Sequence, residues 1–84
     1  MKIYWNGTSK NIIGQKVKQL RTAQGLSQAA LAGRLQLLGM ECNDLTILRI
    51  EQGSRFVPDY EVVFLSEYFH ISTDELLGKG KLRQ

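Results

Sequence analysis

Between Ser27 and Gly53 the chain is punctuated so tightly that few folds can accommodate it. Ser27-Gln28-Ala29-Ala30-Leu31-Ala32 starts like a helix with a Ser cap, and Ile47-Leu48-Arg49-Ile50-Glu51-Gln52-Gly53 finishes like a helix stopped by glycine. The connection between them runs through Gly39 to Asn43, and Asn43 is itself a good N-cap. Two short helices joined in this way must pack on something else, because neither is long enough to be stable alone.

The flanking segments supply that support. A first helix fits residues 13–24, where Ile13, Val17 and Leu20 form one apolar stripe before Gly25. The second runs from the Ser27 cap to about Leu38, with Leu31, Leu35 and Leu38 inward, and the third spans Asp44 to Gln52. Residues 54–58 read as a loop. Asp59 is expected to cap a fourth helix that reaches Phe69 and carries Val62, Val63, Leu65 and Phe69. Ser72-Thr73-Asp74-Glu75 is a capping-box pattern, opening a short last helix that ends at Gly78. The fold class is therefore all-α, with five helices. Residues 1–11 form an irregular N-terminal arm with an aromatic patch at Tyr4-Trp5, residues 12–78 the helical domain, and residues 79–84 a basic tail.

Charge distribution sharpens the functional question. The net charge is only +3, yet residues 1–40 hold six bases and no acid, whereas residues 41–84 hold all eight acids against five bases. Such asymmetry fits a side that faces a polyanion, although charge alone fits an ordinary solvated face as well. The lone Cys42 excludes an internal disulfide and fits a reducing interior. The early residues lack the apolar core of a secretory signal, and no run approaches a membrane span, so a soluble, cytoplasmic protein is expected. No nucleophile–base pair, metal-ligand cluster or glycine-rich phosphate loop is visible, so neither an enzyme nor a bound cofactor, metal or small-molecule ligand is expected.

Five fragments in order carry a resemblance. They are Ile13-Gly14-Gln15-Lys16-Val17-Lys18-Gln19-Leu20-Arg21, then Gly25-Leu26-Ser27-Gln28 with Leu31-Ala32, then Ile47 to Gly53, then Asp59-Tyr60-Glu61, and finally Ser72-Thr73-Asp74-Glu75-Leu76-Leu77. Together they resemble the lambda-repressor-like (Cro/cI, XRE) helix-turn-helix family of bacterial and phage DNA-binding domains. The resemblance implies a five-helix domain whose third helix enters the major groove of double-stranded DNA, usually as a homodimer acting as a transcriptional repressor. Residues 35–43 depart from it, being several residues longer than the family's usual tight turn.

Helix periodicity turns Ile47 and Ile50 toward the interior and leaves Leu45, Leu48, Arg49 and Gln52 outward, with Asp44 at the flank. Through the resemblance, Asp44, Leu45 and Arg49 become base-reading candidates. Arg49 can bond guanine O6 and N7, Asp44 can accept from cytosine N4, and Leu45 or Leu48 can touch a thymine methyl. Each has a plainer reading beside it. Asp44 suits the positive end of the helix dipole, and Leu48 can pack on a partner chain or on the arm. An acid and two leucines are an unusual reading set.

For the DNA backbone, the resemblance points to Gln28 as a phosphate clamp at a helix N-terminus, with Ser27 and Asn43 at the two helix starts. Gln52, Ser54 and Arg55 follow the third helix, and Lys16 can extend the footprint. Arg21 and Glu51 match a family ion pair that aims the third helix. His70, a lone histidine at the end of the fourth helix, is expected in a left-handed position or capping the last carbonyls, rather than binding a metal. Cys42 reads as a small packed residue, with a dipole-lowered thiol as the alternative. The competing function is a protein-interaction module, such as an antitoxin or adaptor, that uses the exposed Leu45/Leu48 face.

Overall fold

The structure, a computed structural model, describes residues 9–78. Most of the expected arm, including Tyr4-Trp5, and all of the basic tail lie outside these residues. Among them are five helices: α1 (Gly14–Ala23), α2 (Gln28–Leu37), α3 (Asp44–Gln52), α4 (Asp59–Phe69) and α5 (Thr73–Leu77). One apolar cluster joins all five. Ile13 and Val17 meet Leu31 and Leu35 from α2, Ile47 and Ile50 from α3, Leu65 and Phe69 from α4, and Leu76 from α5.

The helix starts follow their caps. Ser27 Oγ accepts from the Ala30 N–H at 3.0 Å, and Ser72 Oγ accepts from the Glu75 N–H at 3.0 Å. At α3 the cap is reciprocal: Asn43 Oδ1 accepts from the Thr46 N–H while Thr46 Oγ1 accepts from the Asn43 N–H.

The ends of α1 to α4 share one geometry. A left-handed residue follows each of these helices: Gly25, Gly39, Gly53 and His70. The next N–H reaches back five residues, from Leu26 to Arg21, Met40 to Leu35, Ser54 to Arg49 and Ile71 to Ser66. This double closure satisfies carbonyls that a helix end would otherwise leave open. Three of the four reaching residues are apolar. Leu26, Met40 and Ile71 then pack on the core, so each stop signal also anchors the chain.

Three expectations are corrected. Leu38 is not inward: α2 stops at Leu37, and the turn into Gly39 leaves Leu38 48% exposed. Asp59 does not cap α4; Pro58 occupies that position with no side-chain bond, and Asp59 lies in the first turn as a dipole-complementing acid. Val63 faces outward on α4, and Leu65 with Phe69 carries that helix's burial instead. The long segment before α3 resolves as the end of α2, a glycine turn at Gly39-Met40 and a short run into the Asn43 cap. Buried Met40 holds it down.

Gly14 sets how closely α1 approaches α3. A Cβ there would overlap the Ile50 carbonyl oxygen and press on the Glu51 carbonyl oxygen at 3.0 Å. Both obstacles are backbone, so they cannot swing aside. Gly14→Ala is therefore expected to destabilise by about 1–3 kcal/mol through overpacking. Thermal unfolding would show this as a midpoint lowered by about 4–8 °C per kcal/mol, and an unchanged midpoint would contradict the close approach.

Candidate nucleic-acid interface

The third helix offers one face to the core and another to solvent. Ile47 and Ile50 are fully buried, whereas Asp44, Arg49 and Gln52 are exposed. Leu45 is 43% exposed and Leu48 is half-buried. The Arg49 guanidinium forms no hydrogen bond or ion pair with any described residue. An unpaired, exposed guanidinium in the middle of a helix face has all five donors available. Asp44 Oδ1 accepts from the Leu45 N–H at 2.9 Å, as a first-turn acid does.

What aims this face is an ion pair beneath it. Arg21 Nε donates to Glu51 Oε2 at 2.6 Å and Arg21 Nη2 donates to Glu51 Oε1 at 3.0 Å, a two-pronged contact between α1 and α3. Arg21 Nη1 also donates to the Leu26 carbonyl at 2.7 Å. The Glu51 side chain retains only 4% of its exposure, and the Arg21 guanidinium is held above its ordinary pKa by that hydrogen-bonded carboxylate. Gln28 Nε2 donates to Glu51 Oε1 at 3.1 Å. Two helices thus converge on one carboxylate, α1 through Arg21 and α2 through its first residue Gln28, while the turn between them fixes the Arg21 guanidinium through the Leu26 carbonyl.

Several of the expected backbone-contact residues are already engaged inside the chain. Ser27 and Asn43 cap helices, and the Gln28 side-chain amide lies against Glu51. Ser54 Oγ donates to the Arg49 carbonyl at 3.3 Å. Lys16 Nζ lies 3.9 Å from Glu75 Oε2, an exposed pairing that is worth little. The first-turn N–H groups of Gln28 and Ala29 have no acceptor within the helix, so this end of α2 still presents donors to an anion.

Arg55 is tied more firmly than expected. Its Nη2 donates to Glu61 Oε2 at 2.7 Å, and Glu61 is only 3% exposed. The pair lies at a half-enclosed cleft with Gly39, Met40, Glu41, Tyr60 and Phe64. Among the described residues Arg55 Nε and Glu61 Oε1 have no partner, so this is a single-pronged version of the Arg21–Glu51 contact. Cys42 sits near the pair, and burial raises its thiol pKa, with the Glu61 charge adding to the effect. That is the opposite of activation by a helix dipole.

Sequence reasoning missed two of the residues that build this interface. Glu61 was visible only as part of a family fragment, with no hint of burial. Asn11 is the other, and its signal is local: Asn three residues before Gly14 at a helix start has the spacing of a cap. Its carbonyl oxygen accepts from the Gly14 N–H at 2.9 Å and the Ile13 N–H at 3.2 Å.

Among the described residues, no group of three His, Cys, Asp or Glu side chains could hold a metal ion, and no helix is long and apolar enough to cross a membrane. In comparison with known proteins, the model of a family described as a helix-turn-helix domain matches residues 12–76. Searches of curated proteins and of solved structures return no match.

The buried pair makes a strong demand on its partners. Glu51→Ala would leave the Arg21 guanidinium without its carboxylate, and Arg21→Ala would leave Glu51 buried and unpaired. Each is expected to cost about 3–5 kcal/mol. Replacing both should cost less than the sum of the two, and a double-mutant cycle by chemical denaturation checks this. Strictly additive losses would show that the two groups do not act as a pair.

Proposed function

The chain belongs to the helix-turn-helix domain family, of the Cro/cI/XRE kind, and on that premise we propose that it binds double-stranded DNA sequence-specifically as a small transcriptional regulator, acting as a repressor. The observation that carries this reading is the Arg49 guanidinium, without a partner among the described residues, at the centre of the outward face of α3, on a helix whose orientation is held by Arg21 and Glu51. In this reading α3 lies in the major groove and Arg49 reads guanine, with Leu45, Leu48 and Asp44 beside it. Gln28, Ser27, Asn43, Gln52, Ser54, Arg55 and Lys16 line the phosphates. Ser27, Asn43 and Gln28 are already held by intramolecular bonds that leave each a hydroxyl or amide hydrogen, and a donor fixed in place loses little freedom on binding.

A single domain makes few contacts, so the reading includes a homodimer on two half-sites about one helical turn apart. Arg55 has a double task in it. Its Nη2 holds Glu61, and in this reading Nη1, the other end of the partly exposed fork, is left for a phosphate.

A second reading has one observation in its favour. Leu37 is 88% exposed, and Leu38, Tyr60 and Val63 are also large apolar residues open to solvent. Exposed apolar surface of this kind fits a protein-interaction module such as an antitoxin or adaptor, with Leu45 and Leu48 as a further contact face.

Binding to a mixed-sequence duplex at low and moderate salt separates the two readings. Phosphate contacts predict affinity that falls steeply with salt, about one unit of log–log slope per neutralised phosphate. Selection of bound sites from a random duplex pool then tests the reader. Arg49→Ala is expected to weaken binding by about 5- to 100-fold and to relax selectivity at one guanine position. Salt-insensitive or absent duplex binding would overturn the DNA reading, and an unchanged selected motif would remove Arg49 as the reader.

A further inference from the structure

The exit of α3 is held by three residues that precede α1. Lys10 N–H donates to the Gly53 carbonyl at 2.7 Å, and Ser9 Oγ lies 3.3 Å from the same oxygen. Asn11 Nδ2 donates to the Ile50 carbonyl at 3.1 Å and to the Arg55 carbonyl at 2.8 Å. Its Oδ1 receives the Ile13 and Gly14 N–H groups. The Lys10 ammonium stands 5.5 Å from the centre of the Phe56 ring, a cation–π contact on the same loop. A Cβ on Gly53 would collide with Ser9, so the strap and the turn are fitted to each other.

One planar amide therefore makes four hydrogen bonds to two separate parts of the fold. Its donor side grips the end of α3 and the loop after it, and its acceptor side caps the start of α1. Few side chains of this length can do both. Asp has the acceptors but no donor, Ser has a single donor on a shorter arm, and only the amide offers two N–H groups and a two-lone-pair oxygen together.

We propose that Asn11 is a positioning residue that fixes the loop of residues 53–56 against the start of α1. It thereby sets the height at which Ser54 and Arg55 stand relative to the outward face of α3. The Arg21–Glu51 pair holds the same helix from α1 and the start of α2; Asn11 holds its last turn. With both in place α3 cannot roll, and the loop cannot lift away from it. The Arg55 carbonyl is central here. It lies one residue past the Ser54 N–H that closes α3, and Asn11 supplies its donor. The consequence for DNA rests on the reading above; the positioning itself does not.

Asn11→Asp and Asn11→Ser test this, since each keeps an acceptor for the start of α1 and removes the amide donors. Hydrogen exchange would be followed at the Gly53 and Ser54 amides, with Leu35 in α2 and Leu76 in α5 as references in the same sample. Both variants are expected to exchange at Gly53 and Ser54 about tenfold faster or more while the references hold, because local opening of the turn no longer breaks the donor bonds. Affinity for a mixed-sequence duplex is expected to fall about tenfold, with a shallower salt slope, as the loop's phosphate contacts loosen.

Equal acceleration at all four amides, or none, would overturn the proposal by showing a cap and nothing more. Unchanged affinity and slope in both variants, with a wild type that binds, would also overturn it. Localised exchange with a wild type that binds no duplex would uphold the positioning and remove the DNA reading instead.

Discussion

The Glu51 carboxylate is the point on which this fold turns. It is the only strongly buried charge on α3, and it receives donors from Arg21 on α1 and Gln28 on α2. An ion pair in so dry a place contributes little net stability, since desolvation offsets much of the attraction. Its value is directional. A two-pronged guanidinium–carboxylate contact tolerates little rotation, so the roll of α3 is specified, and with it the outward face that carries Arg49. Apolar packing of Ile47 and Ile50 alone would accept a range of angles, because dispersion contacts have no preferred direction.

Gly14 completes that constraint from the other side. The α1 backbone comes so close to the Ile50 and Glu51 carbonyls that no side chain fits between. On α3 the ion pair and the close approach fall on the same turn, while on α1 Gly14 and Arg21 stand about two turns apart. A distance and an angle are fixed together, which is what presenting a rigid helix face to a partner requires.

Much of this was legible in the chain itself. Local signals did well. Ser27, Asn43 and Ser72 cap where short polar residues should, α3 begins and ends at the expected residues, α4 ends at the expected Phe69, and His70 takes a left-handed conformation at its helix end. These features depend on a few consecutive residues, so sequence contains them. The errors arose where tertiary context decides. Leu38 looks inward by periodicity but lies past the end of α2, where the helical period no longer applies. Val63 sits between Val62 and Phe64, which pack partly buried against the core, and shares their hydrophobicity, not their direction. Asp59 was displaced from the cap position because Pro58 already adopts the extended conformation there. The partners of Asn11 and Arg55 were invisible for a different reason. Asn11 meets carbonyls 39 and 44 residues away, and no local pattern encodes such a meeting.

The account's central claim is that the outward face of α3, with the turn after it, is the surface that meets a duplex. Amide chemical-shift mapping of the protein titrated with a mixed-sequence duplex tests this most directly. The account predicts shifts concentrated at Asp44, Leu45, Leu48, Arg49, Gln52 and Ser54 and at the start of α2, with α5 undisturbed. Shifts confined to the Leu37, Leu38, Tyr60 and Val63 surface, or none anywhere at low salt, would contradict it.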